Sequence, residues 1–213
     1  MNRSGLRVAS FAVAVALVAP ALAGQARLSP ADLTAAKSMG SRQAPITLEI
    51  FSDYQCPDCR RMHTTTTRQV IDNYVSSGKV YLIHRDFPLA MHAHSRVAAR
   101  WVNAAAAVGS GVFQAAENAL YAKQDEWAAT GNVEQALASL LPAADMRRVR
   151  AIESTQRAQL DAAVQADFSL ANSRNVSGTP SVFVIHRGQT TPLPAGSVSY
   201  SLLKQYLDYL LQR

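Results

Sequence analysis

The order of the predicted elements indicates an α/β fold whose sheet domain is interrupted by an inserted all-helical domain. Residues 45–90 have the pattern of strand, helix, strand, while residues 91–172 show helical periodicity alone. Strand patterns return in residues 173–213, which end in one more helix. Because strand-forming segments lie on both sides of the helical block, we expect one sheet to be built from the two ends of the chain.

The first 23 residues have the pattern of a secretory signal peptide. Arg3 and Arg7 form a basic start, and Ala21-Leu22-Ala23 is a small-x-small cleavage signal. The apolar run between them, Val8–Ala19, is about a dozen residues, short of the ~20 that span a bilayer. We therefore predict cleavage and a periplasmic or secreted protein without stable membrane insertion; an uncleaved anchor is the alternative.

The first half of the sheet domain is predicted from two apolar runs on either side of a helix. Residues 24–44 form a polar lead-in with one short helix beginning near Pro30. Residues 46–51 are apolar and β-branched enough for a largely buried strand. The helix that follows carries both cysteines and ends at residues 76–78, and residues 80–84 form the second strand.

The inserted domain is predicted to contain four amphipathic helices. The first ends at Gly109, and the second carries Phe113 on its apolar face. Asn132 is predicted to cap the third helix, with Leu140 facing inward, and a long helix follows from about Asp145.

The C-terminal segment returns to the sheet. Residues 181–185 are predicted to form a strand, and residues 186–189 a hairpin turn into a shorter strand that ends at Leu193. The apolar spacing from Leu203 to Leu210 predicts a final helix.

Charge and cysteine usage exclude two classes of protein. The 213-residue chain has a net charge of +6, but its basic residues are scattered, and the densest group, residues 147–150, has no interleaved aromatics. This argues against a nucleic-acid partner. An exported protein stabilised by disulfides carries several spaced cysteines, whereas this chain has 2. Its stability must therefore come from packing, and the cysteines must serve another purpose.

The two cysteines form the motif Cys56-Pro57-Asp58-Cys59 at the predicted start of a helix. A thiolate at a helix N-terminus faces unpaired backbone N–H groups and the positive end of the helix dipole, which lower its pKa. Pro57 is tolerated at the first helical position. We therefore predict that Cys56 is the reactive thiol and that Cys59, one turn further, is more buried and resolves mixed disulfides.

Three other interpretations of the cysteine pair are weaker. A purely structural disulfide would close too short a loop to stabilise the fold much. A zinc site needs four ligands, of which Cys56, Cys59 and His63 supply three, with no second Cys-x-x-Cys to complete it. Two inert buried thiols are the third alternative.

The last feature to consider is a proline directly before the strand predicted at residues 181–185. Gly178-Thr179-Pro180 directly precedes a predicted strand, which by itself indicates an ordinary turn. Together with the cysteines, however, residues 45–213 resemble the DsbA-like branch of the thioredoxin superfamily, exported thiol–disulfide oxidoreductases with a helical domain inserted into a thioredoxin-like fold. The segments that carry the resemblance are Phe51 to Cys59, Asp86-Phe87-Pro88-Leu89 with His92 or His94 behind it, Gln124-Asp125-Glu126-Trp127, and Ser177 to Val184.

The chain is therefore predicted to consist of a signal peptide (1–23), a lead-in (24–44), a thioredoxin-like domain (45–90 and 173–213) and a helical insertion (91–172). The resemblance to the family concerns the last two. It implies that the Thr179–Pro180 bond is cis and packs against the sulfurs, and that the Thr179 backbone pairs with an extended substrate peptide. The proline ring would also deny a metal the space beside the thiols. Reduced exported proteins or peptides are the implied substrates, with a quinone-linked membrane redox partner and no cofactor.

The buried acid found beneath the disulfide in many superfamily members is not identified by the sequence. Glu49 stands seven residues before Cys56 and Ile50 six before, and strand alternation sends these two side chains to opposite faces. Asp53 is the alternative acid, although a role in the loop is equally compatible with its position.

The direction of the redox reaction is also open. An oxidase of dithiols is the main hypothesis; a reductase or isomerase of the same fold and a non-redox binding or holdase module are the alternatives. Asp58 is predicted to repel the Cys56 thiolate and to moderate its oxidising power, partly offset if Arg60 or Arg61 pairs with it.

Overall fold

The computed structural model describes residues 27–213, and the predicted signal peptide lies outside them. One five-stranded sheet has the strand order β1-β3-β2-β4-β5. Its central pair, β2 and β3, is parallel, and the other pairs are antiparallel. The strands are β1 (Ser38–Met39), β2 (Ile46–Ser52), β3 (Val80–Asp86), β4 (Ser181–His186) and β5 (Gln189–Pro192).

Ten α-helical segments accompany the sheet within residues 27–213. They are α1 (Pro30–Ala36), α2 (Pro57–Met62), α3 (Arg68–Val70), α4 (Ser95–Val108), α5 (Ser110–Ala122), α6 (Gln124–Thr130), α7 (Val133–Ala138), α8 (Ala143–Thr155), α9 (Arg157–Ser173) and α10 (Tyr200–Leu211). The π-helical turn His63–Thr67 joins α2 to α3, and a second one, Ile71–Val75, extends this helical segment beyond α3.

The central strand β2 is covered on both faces, which explains its apolar sequence. Every residue of β2 except Thr47 is buried. Leu48 and Ile50 belong to the large core that includes both cysteines and Met62 of α2. Phe51, on the other face, packs in a separate small core with residues of β4 and α9. The residue that follows Phe51 therefore faces the cysteine side again, which brings Ser52 to the site.

Most of the predicted elements are confirmed, with some differences inside the helical segment. The long helix expected from Asp145 is two helices, because the chain breaks at Gln156 between α8 and α9. Leu140 is 52% exposed rather than inward, because α7 ends at Ala138 before reaching it. Asn132 does stand at the start of α7, but its side chain makes no capping hydrogen bond.

Two elements have no counterpart in the sequence-based prediction. Helix α6 carries Gln124 and Trp127, both buried. The two-residue strand β1 pairs with β3, so the lead-in contributes an edge of the sheet. The division of the chain into a thioredoxin-like domain and a helical insertion at the predicted boundaries stays a proposal.

Candidate redox site

The two cysteines occupy the positions predicted for them at the start of α2. Both are free thiols. Cys56 is the N-cap residue and Pro57 the first residue of the helix. Cys59 lies one turn further and is 2% exposed, compared with 6% for Cys56. The predicted order of exposure is confirmed.

The pKa of Cys56 is lowered to about 6. The hydrogen bond with the Cys59 thiol is the largest cause, and it outweighs the opposing effect of burial. The Thr179 side chain and the backbone N–H groups of Cys59 and Asp58 add to the lowering. The expected acidity is therefore present, but the neighbouring thiol contributes more to it than the helix N–H groups that the sequence argument placed first.

The pKa of Cys59 is shifted in the opposite direction. Burial raises it most, and the hydrogen bond with Cys56 and the charge of a Cys56 thiolate raise it further. The Asp53 backbone N–H donates to Cys59 Sγ at 3.4 Å and partly offsets the rise. One thiol is therefore a stable anion near neutral pH while the other keeps its proton.

The loop before β4 contacts the reactive sulfur. The Thr179–Pro180 peptide bond is cis, as the resemblance implied. Cys56 Sγ donates to the Thr179 carbonyl oxygen at 3.5 Å, and the buried Pro180 lines the space around Cys59. The Thr179 hydroxyl is buried without a regular hydrogen-bond partner in residues 27–213, which leaves its proton available to a Cys56 thiolate.

Asp58 and its neighbours are arranged as the sequence argument allowed. The carboxylate of Asp58 accepts from Arg61 at 3.0 Å, and both side chains are about half exposed. Arg60 instead pairs with Asp125 of α6 at 2.9 Å. The positive charge of Arg61 therefore offsets part of the repulsion that Asp58 exerts on the thiolate.

Neither acid proposed from the sequence points at the sulfurs. Glu49 faces the opposite side of the sheet, where it forms ion pairs with Arg85 at 2.7 Å and with Arg174. Asp53 organises the loops: its carboxylate accepts from the Leu89 backbone N–H and from His92, each at 2.8 Å.

A buried acid that was not predicted from the sequence approaches Cys59 from the helical segment. Glu117 of α5 is 5% exposed and pairs with His84 of β3 at 3.0 Å. Glu117 and His84 line the same cavity as Cys59. No local signal identifies Glu117, because its sequence pattern is that of an ordinary helix and its partner is 33 residues away in β3.

In the part of the chain from residue 27 onward, no group of three or more His, Cys, Asp or Glu side chains is placed to hold a metal ion. Among those same residues, no helix combines the length and the apolarity needed to cross a bilayer.

The fold and the site together define a class of protein. A mixed sheet with a cis-proline loop facing a Cys-x-x-Cys dithiol, whose first thiol is acidic, describes the thioredoxin fold with its redox centre. A family model described as Thioredoxin matches residues 34–208. The chain belongs to the thioredoxin family.

Individual relatives and solved structures that are similar to the chain are proteins of disulfide bond formation. The chain is 23% identical over 159 residues to a probable disulfide bond formation protein D of Bacillus anthracis, covering 70% of this chain and 69% of the relative. The crystal structure of oxidised BdbD from Bacillus subtilis superposes with a TM-score of 0.67 at 20% identity, over 83% of this chain and 93% of that one. DsbA2 of Pseudomonas aeruginosa superposes with a TM-score of 0.62 at 24% identity, over 82% and 93%. The fold is therefore a DsbA-like thioredoxin fold with an inserted helical domain.

Proposed function

We propose that this protein is an exported thiol–disulfide oxidoreductase that oxidises dithiols in secreted proteins through a Cys56–Cys59 disulfide. The observation that carries the proposal is the asymmetry of the two thiols, with the pKa of Cys56 near 6 and that of Cys59 raised. An acidic thiolate is a good leaving group, and a more deeply buried protonated thiol does not compete with it. Relatives named for disulfide bond formation support the same chemistry.

The reaction follows from this asymmetry. A substrate thiolate attacks Cys56 Sγ of the disulfide, the bond to Cys59 breaks, and Cys59 takes the electron pair and a proton. The second substrate thiolate then attacks the substrate sulfur of the mixed disulfide, and Cys56 leaves as a thiolate. The substrate ends oxidised by two electrons, and the protein ends as the Cys56 thiolate and Cys59 thiol.

The acidity of Cys56 favours the reduced protein and hence the oxidase direction. At pH 7, one unit above a pKa of about 6, ionisation stabilises the reduced form by at most about 1.4 kcal/mol. For a two-electron couple this corresponds to a potential higher by ~30 mV.

The peptide segment at Thr179 is the proposed docking position for substrates. Its carbonyl oxygen lies 3.5 Å from Cys56 Sγ, so a peptide held beside it brings a thiolate within reach of the same sulfur. Reduced exported proteins or peptides are the proposed substrates, and a quinone-linked membrane protein is the proposed reoxidising partner. The proposed location is the periplasm or the exterior, after removal of residues 1–23.

The redox potential is the test of the oxidase proposal. Equilibrium of the purified protein with reduced and oxidised glutathione at pH 7 is expected to give a potential between about −200 and about −120 mV. A value below about −250 mV would contradict the oxidase direction and favour the reductase alternative. Iodoacetamide titration of the reduced protein gives the Cys56 pKa in the same samples.

A cysteine variant separates the redox proposal from a binding module. Cys56→Ser is expected to abolish oxidation of a reduced model protein, with Glu134→Gln as the matched control that keeps it, because half-exposed Glu134 pairs with Arg150 and does not line the space around Cys59. If reduced model protein is bound equally by both forms and oxidised by neither, the non-redox alternative is correct. Stoichiometric zinc in the purified protein would contradict both.

A further inference from the structure

A small cavity of about 20 Å³ lies against Cys59. Such a volume holds about one water molecule. The polar and titratable groups that line it are Cys59, Ser52, His63, Thr67, His84, Glu117 and Tyr121. The reaction proposed above requires a proton to reach Cys59 each time the disulfide opens, so the surroundings of this sulfur bear directly on the chemistry.

Two of the residues that line this cavity, His63 and Glu117, also line a groove of about 150 Å³. The rim of this groove carries the exposed side chains of Arg68, Asp72 and Asn118, so it opens to solvent. His63 and Glu117 are themselves 7% and 5% exposed. They therefore form a thin partition between the space around Cys59 and the solvent beside α3 and α5.

The partition is made of groups that exchange protons. One Glu117 oxygen lies 3.0 Å from His84 Nδ1, and its other oxygen lies 3.8 Å from His63 Nδ1. His63 Nε2 contacts Asn118 Oδ1 at 2.8 Å, on the groove side. Glu117 is thus placed between two imidazoles, one facing the buried sheet and one facing the groove.

The charges around His84 and Glu117 favour a proton held on this pair. Burial lowers the pKa of His84, but hydrogen bonds with Asp86 and Glu117 raise it to about 9. The other titratable or charged groups that face the pair are Tyr54 at 2.9 Å from His84, Lys37 through its ion pair with Asp86, and Tyr121 and Cys59 across the cavity.

We propose that His84, Glu117 and His63 form a proton route between Cys59 and the groove beside α3 and α5. This inference rests on the proposed redox function. When a thiolate attacks Cys56 Sγ, a new S–S bond forms and the Cys56–Cys59 bond breaks with its electron pair on Cys59 Sγ. A proton passes from the His84–Glu117 pair to that sulfur, and the pair regains a proton from solvent through His63.

The route explains how Cys59 is protonated while a substrate covers the front of the site. Cys59 is 2% exposed, and the incoming sulfur occupies the side on which Cys56 meets Thr179. A path at the back leaves that side to the substrate. Glu117 and His63 act here as proton-transfer residues and make no contact with the substrate.

The test uses reduction of the Cys56–Cys59 disulfide by dithiothreitol, followed in single turnovers in H₂O and in D₂O across pH 5 to 9. Glu117→Gln keeps the shape of the side chain and removes its ability to carry a proton. We expect it to slow the opening of the disulfide by about tenfold or more at neutral pH, to change the pH profile, and to increase the solvent isotope effect. Glu117→Asp is expected to recover part of the rate.

The matched control is Glu153→Gln, a buried helical-segment carboxylate that pairs with Arg100 and Arg157 away from the cavity. It is expected to stay within about twofold of the wild type. Equal slowing in both variants, or slowing of Glu117→Gln without a change in pH profile and isotope effect, shows a structural role and overturns the proton route. A Glu117→Gln variant indistinguishable from the wild type overturns it as well. If the wild-type disulfide itself resists dithiothreitol, it is the proposed redox function that fails.

Discussion

At the scale of single residues, the reactivity of the site depends on the different surroundings of its two sulfurs. Cys56 has partners that favour the anion, whereas Cys59 is enclosed, and burial dominates its pKa. The Cys-x-x-Cys motif was enough to predict which thiol would be acidic. It was not enough to predict the main cause, since the thiol–thiol hydrogen bond depends on side-chain orientations that the motif does not determine.

The first prediction concerns the charge next to the thiolate. Asp58→Asn removes a carboxylate from the first turn and is expected to lower the pKa of Cys56. The expected change is under about half a unit, because Asp58 is about half exposed and already paired with Arg61. Thiolate absorbance of the reduced protein as a function of pH measures it. A higher pKa in Asp58→Asn than in the wild type would contradict the prediction.

At the scale of elements, local patterns predicted the strands and helices well, and contacts distant in sequence account for what was missed. β2 and the cysteine helix follow from an apolar run and a helix-start motif within 30 residues. The buried ionic groups do not: Lys37 follows α1, Asp86 ends β3 and Asp167 lies in α9, and they meet only in the folded chain. The π-helical turns beyond α2 are likewise invisible in a helical pattern.

The second prediction concerns the connection that places β1 beside the central strands. Gly40 has a φ of +91°, and a Cβ there would lie 2.6 Å from the Val80 carbonyl oxygen. Because this neighbour is backbone of β3, it cannot move aside cheaply. Gly40→Ala is expected to lower the free energy of unfolding by at least about 2 kcal/mol, as measured by urea denaturation.

Gly188→Ala is the matched control for this substitution. Gly188 also has a positive φ, +77°, but a Cβ there meets no atom within 4 Å. Only the conformational strain remains, so a loss of about 1 kcal/mol is expected. If the two variants lose the same stability, the close approach at Gly40 has no energetic consequence.

At the scale of the whole molecule, the buried charges balance in a way that joins the sheet to the helical segment. On one side of the sheet Glu49 meets Arg85 and Arg174, and Asp167 of α9 meets both Arg85 and Lys37. Lys37 also pairs with Asp86, which contacts His84, and His84 in turn pairs with Glu117 of α5. Removing one partner from such a buried network costs more than the pair contributes, since it leaves an uncompensated charge.

The third prediction follows from linkage between redox state and pH. The pKa of Cys56 is about 6 in the folded reduced protein and about 9 as its ordinary value, so the folded state binds this proton more weakly than the unfolded state does. The contribution of the Cys56 thiolate to the stability of the reduced protein is complete above pH 9 and is lost as the pH falls through 6. The raised pKa of Cys59 opposes it only above pH 9.

The free energy of unfolding of the reduced protein should therefore rise relative to that of the disulfide form between pH 6 and 9. The expected rise is at most about 4 kcal/mol, the free energy that three pKa units represent. Paired urea titrations of the two forms at several pH values measure it, and subtraction cancels every group that both forms share. Reduced Cys56→Ser should show no such rise, and parallel curves for the two wild-type forms would mean that Cys56 is an ordinary thiol.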